Sequence, residues 1–213
     1  MAINGTPLWL IAMLKGGIRK STTAMMTAFD LAEKGEDVLV VDADHGTQGV
    51  THWATLVYAN GDELPFHVVQ WSPRMGLLVP FIQLHQRETG AGRIIVDIGG
   101  EAPEVLRQAV LVADHVIAPV GAEKYELSRL AATDSIVKPT GVPMTVLLTR
   151  VPKAGVGRAK EAREEVEEAG YRVSAVEIEQ NREIYADVVG QLPKTTGAYS
   201  QLVDELRALE AAR

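Results

Sequence analysis

The sequence predicts one α/β domain, built on a mostly parallel, twisted sheet with helices on both faces. Three observations predict it. Short apolar runs alternate with stretches of helical periodicity along the 213 residues. The runs lack a clean in/out alternation, which suits strands buried on both faces. No linker, low-complexity tract or repeat interrupts the order, and an apolar content of 46% suffices for one substantial core.

Leu8 to Leu14 (LWLIAML) is the first expected strand, ended abruptly by Lys15-Gly16-Gly17. Thr23 to Lys34 follows as a helix, with Ala24, Met25, Ala28, Leu31 and Ala32 available to one face. Asp37 to Asp42 (DVLVVD) and Leu64 to Val69 are the next strands. Met75 to Glu88 reads as a helix with Leu77, Leu78, Phe81, Ile82 and His85 on one side. Arg93 to Ile98 (RIIVDI) is a buried strand, and Pro103 to Val112 a helix opened by proline. His115 to Val120, Tyr125 to Val137 and Pro143 to Thr149 read as strand, helix and strand. Val156 to Ala169 is a charged helix stopped by Gly170, Arg172 to Ile178 the last strand, and Thr196 to Ala212 the last helix. A sheet of this kind binds ligands at the carboxyl ends of its strands.

Composition narrows the chemistry. The chain has no cysteine, which excludes disulfides, thiolate metal sites and a cysteine nucleophile, and fits a reducing cytoplasm. The opening MAINGTPLWL lacks a basic region, and its apolar run is too short for a bilayer, so neither a leader nor a membrane span is expected. The formal charge is −7, so any contact with nucleic acid must come from a local patch. The five histidines form no metal-ligand pattern, and Ser128 and Ser135 lack an acid–base partner pattern.

Between the first strand and the first helix stands Lys15-Gly16-Gly17-Ile18-Arg19-Lys20-Ser21-Thr22. Strand, glycine turn, lysine plus hydroxyl, helix is the order a phosphate-binding loop requires. The helix start attracts phosphate oxygens, Lys20 adds a point charge for the β- and γ-phosphates, and the Ser21 hydroxyl suits Mg²⁺. The plainer alternative is a surface turn with two lysines. Asp97 closes a run of β-branched residues, the Walker B arrangement that holds Mg²⁺ through a water. Asp42 and Asp44 stand at the end of another strand. For all three, a turn or helix-capping role is the alternative.

The K-G-G-x-x-K-S spelling resembles the deviant Walker A ATPases, the family of ParA, Soj and MinD, and the likeness runs from Leu8 to about Leu206. It implies a P-loop NTPase fold, ATP and Mg²⁺ as cofactors, and slow hydrolysis to ADP and phosphate. Lys15 stands where the family's opening lysine reaches across a homodimer to the partner's nucleotide. Asp42-Ala43-Asp44-His45-Gly46-Thr47-Gln48-Gly49 is similar to the family's first switch loop, D-x-D-P-Q-G. The likeness makes Asp44 the residue that orients water and Asp42 a holder of the metal's hydration shell. Thr51-His52-Trp53-Ala54 matches the T-x-W-A continuation; Trp53 either packs in the core or stiffens a switch helix. Pro103 to Val120 is similar to the second switch region. Gln180, Asn181 and Arg182 fall in the loop that lines the family's adenine pocket.

The departures from the family are specific. His45-Gly46-Thr47 replaces a single proline, so a longer and looser switch loop is expected; His45 is the histidine placed to sense a γ-phosphate. Ile98-Gly99-Gly100 follows Asp97 in place of T-P-P. Arg19 replaces the third loop glycine. If that position requires φ > 0, a non-glycine residue costs about 1–2 kcal/mol. If it does not, Arg19 adds positive charge near the phosphates.

Arg150, Lys153, Arg158, Lys160 and Arg163 form the basic cluster of this acidic chain. One reading is a solvated helix with i,i+4 ion pairs, Arg163 with Glu167 and Lys160 with Glu164. The other, implied by the resemblance, is a non-specific DNA surface that strengthens when ATP joins two subunits. The chain shows no N-terminal helix-turn-helix, as in short plasmid-type ParA proteins, whose centromere binding belongs to a ParB-like partner. The expected function is therefore a nucleoid-associated, cytoplasmic partitioning ATPase. The alternatives are an ATP-gated scaffold with little hydrolysis, or positioning of a non-DNA cargo. The tail AYSQLVDELRALEAAR carries three acids and two arginines, a packing helix rather than the basic membrane helix of MinD-like proteins.

Overall fold

Seven strands run parallel in one sheet: β1 (Leu8–Ile11), β2 (Val38–Ala43), β3 (His67–Gln70), β4 (Arg93–Ile98), β5 (His115–Gly121), β6 (Met144–Val151) and β7 (Val173–Glu179). Their order is β3-β2-β4-β1-β5-β6-β7. The computed structural model describes residues 3–121, 127–152, 156–181, 185 and 187–212, at 127, 156 and 158 in the backbone only. Among the described residues the α-helices are α1 (Lys20–Glu33), α2 (Gly49–Ala59), α3 (Leu78–Thr89), α4 (Pro103–Ala109), α5 (Leu127–Val137), α6 (Val156–Glu168) and α7 (Ala198–Ala211).

Burial on both faces explains the unbroken apolar runs. Trp9 and Ile11 face one layer with Met25, Phe29, Trp53, Tyr199 and Leu202. Leu8 and Leu10 face the other with Leu78, Ile82, Val105 and Leu106. The chain leaves β1 toward β2 on one side and returns through β4 to β5 on the other. The segment after β1 therefore sits at the point where the connections diverge, the usual ligand crevice of an open α/β sheet.

Several boundaries differ from expectation. β1 ends at Ile11, because its ladders stop at Asp97 and Ile117. Beyond it Ala12 donates to Ile117 O and Leu14 N–H to Thr133 Oγ1, so 12–14 already belong to the loop. Helix α1 begins at Lys20 rather than Thr23, which puts Lys20 and Ser21 in its first turn. Helix α2 occupies a stretch assigned no element from sequence beyond Trp53; Val50, Trp53, Ala54 and Val57 make its buried face. Strand β3 is the short, half-buried edge. Helix α3 starts at Leu78 rather than Met75, so Leu77, expected on the helix's apolar side, precedes it and is 67% exposed. Helix α7 buries Tyr199, Leu202, Val203 and Leu206 against the core, as a packing helix does. Among the described residues no helix is long and apolar enough to cross a membrane.

Candidate nucleotide site

The loop between β1 and α1 turns at once: Lys15 N–H donates to Met13 O at 2.7 Å. Ile18 is fully buried with Met13, Ala118, Val120 and Leu130, and so anchors the loop. Lys20 is only 6% exposed, and its Nζ donates to Lys15 O at 2.7 Å. Burial lowers its pKa, against the pull of the Asp97 and Asp44 carboxylates.

Three aspartates meet this first turn. Ser21 Oγ donates to Asp97 Oδ2 at 2.6 Å. Asp97 is fully buried, and burial pushes its pKa up to about 8; the Ser21 hydrogen bond and Lys20 oppose that rise, while Asp42 and Asp44 add to it. Its second oxygen, Oδ1, has no hydrogen-bond partner among the described residues. An unsatisfied carboxylate oxygen beside a serine hydroxyl is a donor set that a hard divalent cation fits. Asp42 accepts from Thr51 N–H at 2.8 Å and Thr51 Oγ1 at 2.7 Å through one oxygen, and from Asp44 N–H at 3.1 Å through the other. It thus caps the first turn of α2 from the neighbouring strand. Burial raises its pKa ahead of the opposing hydrogen bonds from Thr51.

The switch loop is longer than the family's but is not loose. Asp44 Oδ1 accepts from Gly46 N–H at 3.2 Å and Thr47 N–H at 3.0 Å, and Asp44 O accepts from Gln48 N–H at 2.8 Å. Gln48 then opens α2 in the left-handed region at φ 52°.

Close approach explains the departures at Gly99 and Gly100. A Cβ at Gly100 would lie 2.5 Å from the Lys15 carbonyl, and one at Gly99 would lie 2.9 Å from Asp44 Oδ1. The loop after β4 therefore rests directly on both the phosphate loop and the switch loop. Gly49 is equally constrained, since its Cβ would meet Ser21 Oγ at 2.5 Å. Between these loops lies a cavity of about 480 Å³, whose wall includes Lys20, Ser21, Asp44, His52, Glu101 and Val189. Its size and its two converging helix N-termini, α1 and α2, suit a nucleotide polyphosphate.

No family model matches the chain. Against a ParA protein of Rhizobium radiobacter it is 32% identical over 115 residues, covering 54% of this chain and 48% of that one. The chain thus spans about half the length of that relative. Against the maintenance of carboxysome distribution protein A of Gloeobacter kilaueensis it is 33% identical over 163 residues, covering 73% of this chain and 68% of the other. This chain belongs to the ParA/Soj/MinD family of deviant Walker A ATPases. The fold agrees. A plasmid partition protein of Borrelia burgdorferi bound to AMPPNP superposes with a TM-score of 0.71 at 19% identity, covering 96% of this chain and 99% of that one.

Within this family member, Gly16, Gly17, Arg19, Lys20, Ser21, Thr22 and Asp44 line the cavity as the sequence suggests. Lys15 is half-buried at the start of the loop, and Ile18 offers only backbone. His52 is on the cavity wall and the exposed His45 is not. Gln180 and Asn181, which follow β7, are not part of that wall; Gln180 N–H donates to Val151 O and Asn181 N–H to Glu179 O. Arg182 and Lys153 lie outside the described residues, as does the side chain of Arg158. Sequence reasoning missed Thr51, Glu101 and Val189. Only Thr51 carried a signal, as the first residue of the T-x-W-A match.

The basic cluster does not assemble into one surface among the described side chains. Both expected ion pairs form on α6, Lys160 with Glu164 and Arg163 with Glu167, each at 3.6 Å. Arg163 also bonds Glu177 at 3.0 Å and Ser174 O at 2.9 Å. Arg150 turns the other way and donates to Gly17 O at 3.2 Å. Arg19 settles at φ 65°, so the strained alternative holds. Its guanidinium lies 5.8 Å from the Tyr185 ring centre and donates to Glu179 O at 3.4 Å. Burial lowers the Arg19 pKa, and the nearby Arg150 charge lowers it further.

Proposed function

We propose that this protein is a ParA-like ATPase that dimerises around bound ATP and Mg²⁺, binds DNA non-specifically in that state, and is released when a ParB-like partner stimulates hydrolysis. One observation carries the proposal: Lys20, Ser21 and Asp44 line one cavity at the carboxyl ends of β1 and β2, and Asp97 at the end of β4 lies buried behind it, bonded to Ser21. In this reading Ser21 and the ionised Asp97 would hold Mg²⁺, which would supply charge neutralisation at the phosphates, and Asp42 keeps α2 in register behind them. The Lys20 side chain would turn its ammonium group from Lys15 O to the β- and γ-phosphate oxygens. Asp44 orients the attacking water, and Lys15 of each protomer approaches its partner's phosphates. Asp44 Oδ1 is held by the Gly46 and Thr47 N–H groups, which leaves Oδ2 as the oxygen to orient water in this reading.

DNA binding rests on family membership and on Lys160, which stands on the exposed face of α6. Dimerisation doubles whatever phosphate contacts one subunit makes. The site of action in this reading is the nucleoid in the cytoplasm. The similarity to the maintenance of carboxysome distribution protein A favours a second reading, in which the cargo positioned on DNA is a protein body rather than a plasmid. Sedimentation velocity and DNA-binding anisotropy, each with ADP and with AMPPNP, test the proposal. A dimer that binds DNA with AMPPNP alone supports it. A monomer without DNA affinity in both nucleotides contradicts it.

A further inference from the structure

Two arginines at the phosphate loop share an unusual backbone. Arg19 and Arg150 are non-glycine residues in the left-handed region, at φ 65° and 59°. Left-handed backbone at a bulky residue persists where surrounding structure imposes it, and it concentrates at functional sites. For Arg150 the imposing feature is a β-bulge. Thr149 pairs with Ile178 and Val151 with Glu179, so Arg150 is the extra residue on β6. A bulge of this kind re-aims a side chain, and here the guanidinium donates to Gly17 O in the phosphate loop. Arg19 is the residue just before α1, with its guanidinium directed toward the end of β7 at Glu179 O and the Tyr185 ring.

The polarity of the cavity says which part of a nucleotide these cations would meet. Ser21, Asp97 and Asp44 mark the metal and hydrolysis end. Arg19 points away from them, toward the ends of β6 and β7, and Arg150 joins it from β6. That is the end left for the α-phosphate and nucleoside. A guanidinium fork matches phosphate oxygens and can also stack on a ring.

We infer that Arg19 and Arg150 form a same-subunit guanidinium pair that grips the α-phosphate end of a bound adenine nucleotide, and that Arg150 is a nucleotide-site residue rather than a DNA contact. The inference rests on the nucleotide site proposed above. Cations at this end do not see the γ-phosphate, so they hold ADP and ATP equally. Binding of that kind raises affinity without selecting the triphosphate. It would slow ADP release, and it assigns a purpose to an arginine in a loop position where the family carries glycine.

Isothermal titration calorimetry with ADP and with AMPPNP tests the pair directly. Arg19→Gly and Arg150→Ala should each weaken both nucleotides about tenfold or more, by a common factor, leaving the ADP-to-AMPPNP ratio unchanged. Arg150→Lys and Arg19→Lys should fall between wild type and these variants. Circular dichroism melts establish that each variant is folded. Wild-type affinity for ADP in folded Arg19→Gly and Arg150→Ala overturns the inference, as does a loss confined to AMPPNP. A wild-type protein that binds neither nucleotide overturns the nucleotide-site reading instead, and the pair with it.

Discussion

Ser21 donates its hydroxyl proton to Asp97 Oδ2 across 2.6 Å, at the point where α1 begins and β4 ends. Two residues far apart in sequence are thereby fixed as a unit, and the remaining Asp97 oxygen is left buried without a partner among the described residues. Burying a carboxylate this deeply favours its protonated form, and its pKa rises to about 8.

That shift sets a pH dependence. An unfolded aspartate titrates at about 4, whereas burial pushes Asp97 up to about 8 in the folded chain. Between these values the folded state holds a proton that the unfolded state has lost, so stability declines as pH rises through the window. Thermal melts of the nucleotide-free protein from pH 5 to 8 should show this decline, and Asp97→Asn should flatten it. Mg²⁺-dependent nucleotide affinity should move the opposite way, rising as Asp97 ionises.

Thr51 and Asp42 hold the switch loop against α2. Thr51→Val removes the hydroxyl bond to the carboxylate while keeping the backbone one. A hydrogen bond to a charged acceptor contributes about 2 kcal/mol, and urea unfolding should register a loss of that size. Amide exchange at 45–51 should quicken in the same variant.

Gly49→Ala and Gly100→Ala separate two kinds of close approach. The new methyl at 49 meets Ser21 Oγ at 2.5 Å and Ser21 Cβ at 2.8 Å; turning the hydroxyl away breaks its bond to Asp97 and still leaves the Cβ contact, so the start of α1 must shift as well. The expected destabilisation is about 2 kcal/mol, with loss of Mg²⁺-dependent nucleotide binding. The methyl at 100 meets the Lys15 backbone, which has no rotamer to change. Its expected destabilisation is about 3 kcal/mol by chemical unfolding.

On α6, Arg163 is tied to Glu177 and Ser174 O, whereas Lys160 pairs with Glu164 at the exposed surface. Arg163→Ala should therefore lower stability by roughly 1–3 kcal/mol, since it removes hydrogen bonds to a charged group. Lys160→Ala should leave melting within about 0.5 kcal/mol of wild type, as exposed pairs contribute little. In AMPPNP, Lys160→Ala should shallow the salt dependence of DNA binding. An unchanged slope would remove Lys160 from the DNA surface.

Much of the fold was legible because strands buried on both faces must be apolar throughout, and Leu8–Ile11, Val38–Ala43 and Arg93–Ile98 advertise that. The site was legible where chemistry demands a residue type, as at Lys20, Ser21 and Asp97. Helix α2 was hidden by the polar run DADHGTQG before it, although Val50, Trp53 and Val57 had helical spacing. The aim of Arg150 could not be read, because it depends on a register shift between β6 and β7. Nor could sequence choose between the two conformations open to Arg19; packing at the loop decides for φ 65°.

Mixing two inactive variants decides whether each hydrolytic site takes an amine from a second copy, as proposed. In the proposed dimer, Lys15→Ala would lack the amine given to the partner and Asp44→Ala its own water-orienting carboxylate. In a mixed dimer one site regains both groups. Each variant alone should hydrolyse ATP at least tenfold more slowly than wild type, and mixing them should restore turnover well above either one. If the mixture stays as inactive as its components while still dimerising, Lys15 acts within its own subunit and the shared site is ruled out.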